Sequence, residues 1–157
     1  TSQVIVVPNL PQGAVALPGG VIVLDYGVLQ LSDDPAVAAG FILAARAAVM
    51  DADPLETVLK KEGLGVTFRL LTTGEIPSAI LRRNASALVG DEAPTPDPDV
   101  LRRTLVAAEI PQAPFLAAAD ARTGNMPDLG ADPLAERSIP LILPDSDWVS
   151  LQNICNI

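Results

Sequence analysis

Short apolar segments with proline or glycine between them dominate the beginning of the chain. Residues 4–7, 14–17 and 21–24 are all aliphatic, and most of them are β-branched or small. Runs of this length between breakers are typical of β-strands. Pro8 ends the first run, and proline indicates an edge strand because it cannot donate a hydrogen bond to a neighbouring strand. The pattern therefore predicts a small sheet near the N-terminus.

The next segment is predicted to be a buried helix that begins at Asp34 and Pro35. An aspartate side chain caps the first free N–H groups of a helix, and proline fits the first helical position. Between residues 36 and 50 the only charged residue is Arg46, and a helix that is apolar on nearly every face is normally buried. The stretch is too short to span a membrane, which needs about 20 apolar residues.

Further Asp-Pro pairs at positions 53, 97 and 132 each precede a helix-like stretch. Pro94, Pro96 and Pro98 disfavour a regular helix before residue 98. The end of the chain reads as an amphipathic helix with Trp148, Leu151 and Ile154 on one stripe. Predicted helices cover residues 53–63, 77–89 and 98–108, a stretch from Pro111 to residue 121, and residues 144–155. The fold class is α+β, a small, mostly antiparallel sheet packed on several helices in a single domain of residues 1–157.

Charge and composition exclude some partners and cofactors. Ten basic and nineteen acidic residues give a net charge of −9, which repels phosphate backbones and anionic membranes. Aromatic residues make up only 3%, too few for a platform on which bases stack. The chain has one cysteine, Cys155, and no histidine. We therefore expect no nucleic-acid partner, no zinc and no other cofactor.

Residues 13–20 read Gly-Ala-Val-Ala-Leu-Pro-Gly-Gly, and Gly27 and an apolar helix follow them. This order resembles zinc peptidases of the CAAX-prenyl-protease and heat-shock-protease type, within the gluzincins. In that family a strand similar to Asn-Ala-Phe-Ala-Leu-Pro-Gly-Gly precedes a second strand, a Gly-Leu-Leu turn and a helix that carries HExxH. The resemblance extends more loosely to residue 155 and implies a zincin-like, minimal gluzincin fold. The matching residues are Ala14, Ala16, Leu17, Pro18, Gly19, Gly20 and Gly27.

Alanines occupy the positions that this resemblance assigns to the metal motif. The two histidine positions fall on Ala44 and Ala48, and the glutamate position falls on Ala45; a register one residue earlier, at 43, 44 and 47, stays open. The third ligand position falls on Thr95, and a register shifted by one residue stays open here as well. Two histidines four residues apart share a helix face and hold zinc, while the glutamate takes a proton from water. Alanine can do neither, so the resemblance implies a peptidase fold that has lost its chemistry.

The resemblance also implies a peptide-binding edge. In the family, the strand equivalent to residues 13–17 lies at the rim of the active site and binds the substrate backbone as an added strand. The alternative is that loops of the chain cover this edge. Arg46 is interpreted either as reaching into the former cleft to bind a carboxylate of a peptide end or a partner protein, or as occupying a solvent-facing seam of its helix. Pro133 and Arg137 resemble the proline and arginine of the family segment Thr-His-Pro-x-x-x-x-Arg, although three residues separate them here where the family has four. The candidate residues of the edge and cleft are Gly13, Ala14, Val15, Ala16, Arg46 and Arg137.

Three functions follow as hypotheses. The first is a catalytically inactive peptidase-like protein that binds a peptide or a partner protein in the former cleft. The second is a structural scaffold whose cleft is filled. The third, a hydrolase of changed chemistry, needs converging polar groups that the sequence does not offer, since without histidine only a Ser-Lys arrangement remains. Relatives with N-terminal signals or anchors make an exported, periplasmic or membrane-proximal location an expectation.

Overall fold

Three short strands form a mixed sheet. The computed structural model describes residues 3–17, 19–51, 95–124 and 126–155. The central strand β3 (Val21–Asp25) is parallel to β1 (Gln3–Val7) and antiparallel to β2 (Ala14–Leu17). The α+β class and the three strand positions are confirmed. The expectation of a mostly antiparallel sheet was wrong, because the chain reverses both before and after β2 and so brings β1 and β3 into the same direction.

Five helices are described outside the sheet. The strand β3 continues directly into the short helix α1. The helices predicted to begin after Asp34 and Asp97 are confirmed, whereas those predicted over residues 53–63 and 77–89 lie outside the described residues. The helices are α1 (Tyr26–Gln30), α2 (Pro35–Asp51), α3 (Pro98–Ala107), α4 (Gln112–Thr123) and α5 (Asp145–Gln152).

Aspartate side chains start two of these helices as the sequence predicts. The Oδ1 atom of Asp34 accepts a hydrogen bond from the Ala36 N–H (2.9 Å), and Oδ1 of Asp97 accepts one from the Val100 N–H (3.1 Å). Capping bonds of this kind satisfy N–H groups that have no partner inside the helix. The chain from residue 95 to 97 is not helical, as the prolines there predict.

Asp132 plays a different role from the one predicted. Its Oδ1 atom accepts a hydrogen bond from the Leu134 N–H (2.9 Å), and its Oδ2 atom accepts one from the Gln112 N–H (3.0 Å) at the start of α4. Residues 133–136 form only a turn. The prediction of a helix after this Asp-Pro pair was therefore wrong, because the carboxylate caps another helix across the fold.

The helix α2 lies at the centre of the core. It packs against β2, β3, α3 and α4. The ring of Phe41 meets the ring of Phe115 edge to face, with centroids 5.3 Å apart. A Cβ atom on Gly40 would lie 2.5 Å from Phe115, so only glycine allows α2 and α4 to approach this closely. The predicted burial of α2 is confirmed.

The C-terminal helix docks on α1. The hydroxyl of Tyr26 donates to the carbonyl oxygen of Gln152 (2.8 Å), and the Gln152 side chain donates to the carbonyl oxygen of Leu29 (3.0 Å). Trp148 is buried as predicted. The predicted apolar stripe is wrong at its last member, because Ile154 lies beyond the helix and is exposed. No helix in the described ranges has the length and apolar character needed to cross a membrane.

Candidate functional site

A cavity of about 390 Å³ lies between β2, α2 and α4. Its wall brings together the four positions that the resemblance assigns to the lost metal motif, although one of them is about fifty residues away from the others in sequence. Ala14 of β2 also lines it, so the cavity reaches one strand of the sheet. The four positions are Ala44, Ala45, Ala48 and Thr95.

The α2 wall of the cavity is a single helix face. Three alanines follow Phe41 at distances of three, four and seven residues, namely Ala44, Ala45 and Ala48. This spacing places their side chains on the same side of a helix as Phe41. All four line the cavity. Because three of the four are alanine, the wall leaves a hollow where larger side chains would fill the space between helix and strand.

The opposite wall comes from α4 and the chain that follows it. Phe115 is fully buried and lies between the cavity and Gly40, while Arg122 and Met126 also line the cavity. Thr123 contributes through the last turn of α4. The wall is therefore apolar except for the guanidinium group of Arg122 and the hydroxyl of Thr123.

The charge of Arg122 is already matched. Its Nη2 atom donates to Oδ2 of Asp25 and to the carbonyl oxygen of Leu10 (2.8 Å), and its Nε atom donates to the carbonyl oxygen of Pro11 (3.1 Å). The carboxylate of Asp25 is 4% exposed and also accepts the Leu10 N–H (3.0 Å). Because an adjacent opposite charge cancels most of the field of a cation, the cavity suits an uncharged group.

The backbone of β2 offers hydrogen-bonding groups along its outer edge. Asp25 N–H donates to the carbonyl oxygen of Gly13 (2.7 Å). Residues opposite each other in an antiparallel pair alternate between bonded and non-bonded pairs. Because Gly13 and Asp25 form a bonded pair, Val15 and Val23 form the next one. The backbone N–H and C=O groups of Ala14 and Ala16 therefore point away from β3. In the described part of the chain no strand pairs with that edge.

The remaining candidate residues lie elsewhere. Gly13 is buried with a φ of +82°, and a Cβ atom there would lie 2.5 Å from the ring of Phe41. The side chain of Val15 packs in a cluster on the sheet face opposite α2, whereas Ala16 packs beside the α2 core without lining the cavity. The side chains of Arg46 and Arg137 are exposed and do not line it. Arg46 therefore occupies the solvent-facing seam given above as the alternative.

Several residues of the cavity were not identified from the sequence. Phe41 could have been predicted from the sequence, because it precedes Ala44 by three residues on the same predicted helix and therefore shares its face. Phe115, Arg122 and Met126 carried no signal, because only the packing of α4 on α2 brings them to this place. Side chains that line a cavity from a second helix depend on tertiary packing.

Comparison with known proteins adds no relative. No protein-family model matches the chain, and no match was found among curated proteins or among solved structures. Within residues 3–17, 19–51, 95–124 and 126–155, no group of three or more His, Cys, Asp or Glu side chains is placed to hold a metal ion. The likeness to zinc peptidases consequently rests on the sequence positions described above.

Proposed function

We propose that this protein is a peptidase-like protein that binds an extended peptide along β2 without hydrolysing it. The observation that carries the proposal is the outward-facing backbone of Ala14 and Ala16 beside a cavity that has apolar surface and whose one charged described lining residue, Arg122, is paired with Asp25. A strand edge of this kind binds peptides by forming main-chain hydrogen bonds, while pockets select alternate side chains. The absence of histidine from the whole chain supports binding rather than zinc-dependent hydrolysis.

The geometry indicates which side chain of the peptide the cavity would receive. A peptide residue that pairs with Ala14 projects its side chain on the same face of the sheet as the Ala14 side chain. That face is the one on which α2 packs. The residue opposite Ala14 therefore enters the cavity, and its two neighbours in the peptide point to the other face.

The chemistry of the cavity favours an uncharged apolar group, and its size leaves room for a peptide side chain. Its volume of about 390 Å³ lies near the lower end of the range for ligand pockets, about 300–1,000 Å³. Phe41, Phe115 and Met126 supply apolar surface, and the Arg122 charge is matched by Asp25. A charged side chain entering here would lose its hydration without meeting an unpaired opposite charge among the described lining residues.

The scaffold hypothesis accounts less well for this cavity. A scaffold whose cleft is filled needs side chains that close the space between strand and helix, as in an ordinary close-packed core. Among the described residues, the alanine face of α2 leaves that space open, and the open volume is next to the edge of β2 with which no described strand pairs. Peptide binding uses both features.

Replacing Ala44 by leucine tests the proposal. Random peptides displayed on phage are selected on the natural protein, and a recovered peptide is titrated by calorimetry. Ala44 is half-buried in the cavity wall, so a leucine fills the cavity, and we expect affinity to fall at least roughly tenfold. The matched control is Ala107→Leu, at an exposed position on α3, which we expect to leave affinity unchanged.

Three results would count against the proposal. These are the recovery of no peptide, equal affinities for the two leucine variants, and cleavage of the bound peptide by the pure protein. Thermal unfolding of both variants serves as the folding control, because an exposed or half-buried alanine-to-leucine change in a helix carries little propensity cost.

A further inference from the structure

A second groove lies at the N-terminal end of α2, away from the peptide cavity. Residues 139–143 run without regular structure beside the loop at residues 32–34, and Pro111 completes the wall of a space of about 690 Å³. Ala36 lies on this groove and Ala44 on the cavity. Eight residues of helix separate these two positions by about 12 Å, so the two sites are distinct.

Apolar side chains are exposed in the wall of this groove. The side chain of Leu141 is 83% exposed, and Ile142 is also exposed. Ile139 and Leu143 are half-buried in the same wall. A contiguous apolar patch next to polar residues marks an interaction surface more often than isolated exposed leucines do.

Acidic side chains border this apolar surface. Asp33, Asp34 and Asp145 line the groove, and all three are exposed. No lysine or arginine is found among the described residues that line it. The groove therefore combines an aliphatic floor with a negative rim.

We propose that this groove binds a segment of a partner protein in which an apolar anchor is flanked by lysine or arginine. The apolar anchor would cover Leu141, and the cations would face Asp33 and Asp145. Charge complementarity across an interface both steers association and rejects wrong partners. Burial of an exposed leucine by an apolar anchor supplies the affinity.

The same charges disfavour two other occupants. A second copy bound through a two-fold axis would place the same patch against itself, which opposes the three carboxylates Asp33, Asp34 and Asp145 to their own equivalents. An anionic membrane would meet the same negative rim, on a chain whose net charge is −9. A basic, amphipathic protein segment meets neither repulsion.

The test uses a synthetic helical peptide of leucine and lysine, with a peptide of leucine and glutamate as its counterpart. We expect the lysine peptide to bind the natural protein and the glutamate peptide not to bind. Leu141→Ser should weaken binding of the lysine peptide by roughly tenfold, since an apolar anchor loses its contact. Met50→Ser is the matched control, because Met50 is 68% exposed at the opposite end of α2.

A charge reversal separates the groove from the general negative charge of the protein. Asp33→Lys should weaken binding of the lysine peptide much more than Asp120→Lys, which changes the net charge equally at an exposed position on α4. Equal effects of these two variants, or of Leu141→Ser and Met50→Ser, would overturn the proposal. Concentration-dependent dimerisation that Leu141→Ser abolishes would also overturn it, in favour of a second copy.

Discussion

Replacing Arg122 by methionine is expected to lower the free energy of unfolding by about 3 kcal/mol. The change leaves the Asp25 carboxylate, which is 4% exposed, without its cationic partner. It also removes the donors that hold the carbonyl oxygens of Leu10 and Pro11. Removal of one member of a buried pair costs about 3–5 kcal/mol. We expect the lower end of that range because the Arg122 side chain is 20% exposed, so water can reach the site.

The chain offers a matched control for this variant. Arg102 pairs with Asp99 at 3.3 Å, but these side chains are 44% and 77% exposed. Exposed pairs contribute about 0–1 kcal/mol, so Arg102→Met should change stability little. Urea unfolding measures both variants. Combining Arg122→Met with Asp25→Asn should recover part of the loss, because the double variant buries no unpaired charge. Equal losses for the two arginines would contradict this account of Asp25.

The second large effect is expected from proline in β2, and it should differ sharply between adjacent positions. The backbone N–H of Val15 points to β3, so Val15→Pro removes a main-chain hydrogen bond to the buried Val23. This change should lower the free energy of unfolding by about 3 kcal/mol. Ala16 points its N–H to the outer edge, where proline is tolerated. Ala16→Pro should therefore change the free energy of unfolding by no more than about 1 kcal/mol.

The same pair of variants links strand register to binding. Ala16→Pro should fold normally but lose affinity for the selected peptide, because the added strand would lose one main-chain hydrogen bond and meet the proline ring. Unfolding monitored by circular dichroism and peptide calorimetry on the same samples measure the two effects. Strong destabilisation by Ala16→Pro would show that the register is wrong, and undiminished peptide affinity would show that the peptide binds elsewhere.

Local signals in the sequence were sufficient for much of the fold. The strand at residues 14–17 was predicted with the bounds observed, and the Asp34 cap and apolar character of α2 predicted its start and its burial. These features depend on neighbouring residues along the chain. The following Pro98 likewise predicts that Asp97 caps its helix.

Features that depend on distant parts of the chain were not predicted correctly. The direction of β1 relative to β3 depends on two chain reversals, and the carboxylate of Asp132 caps α4 instead of a helix of its own. The Arg122–Asp25 pair joins residues that are 97 positions apart. None of these leaves a local pattern in composition or periodicity.

The candidate site shows the same division. The alanines at 44, 45 and 48 are candidates because the family resemblance assigns them to the positions of the metal motif. The structure places them with Thr95 around one cavity. The apolar wall from α4 and the neutralised Arg122 required the packed fold. Together they explain why the space suits an uncharged side chain.

The most direct test of the account is amide hydrogen exchange, followed by NMR, with and without the selected peptide. Strand addition at β2 predicts that the amide protons of Ala14 and Ala16 become protected when the peptide binds. The amide protons of Val4 and Val6 provide the internal control at the other edge of the sheet. Gln3 N–H donates to the carbonyl oxygen of Gly20 in the direction of β3, so the N–H groups of the alternate residues Val4 and Val6 point away from β3. The account predicts that exchange slows at Ala14 and Ala16 and is unchanged at Val4 and Val6. Slower exchange at Val4 and Val6 instead, or at neither edge, would contradict it.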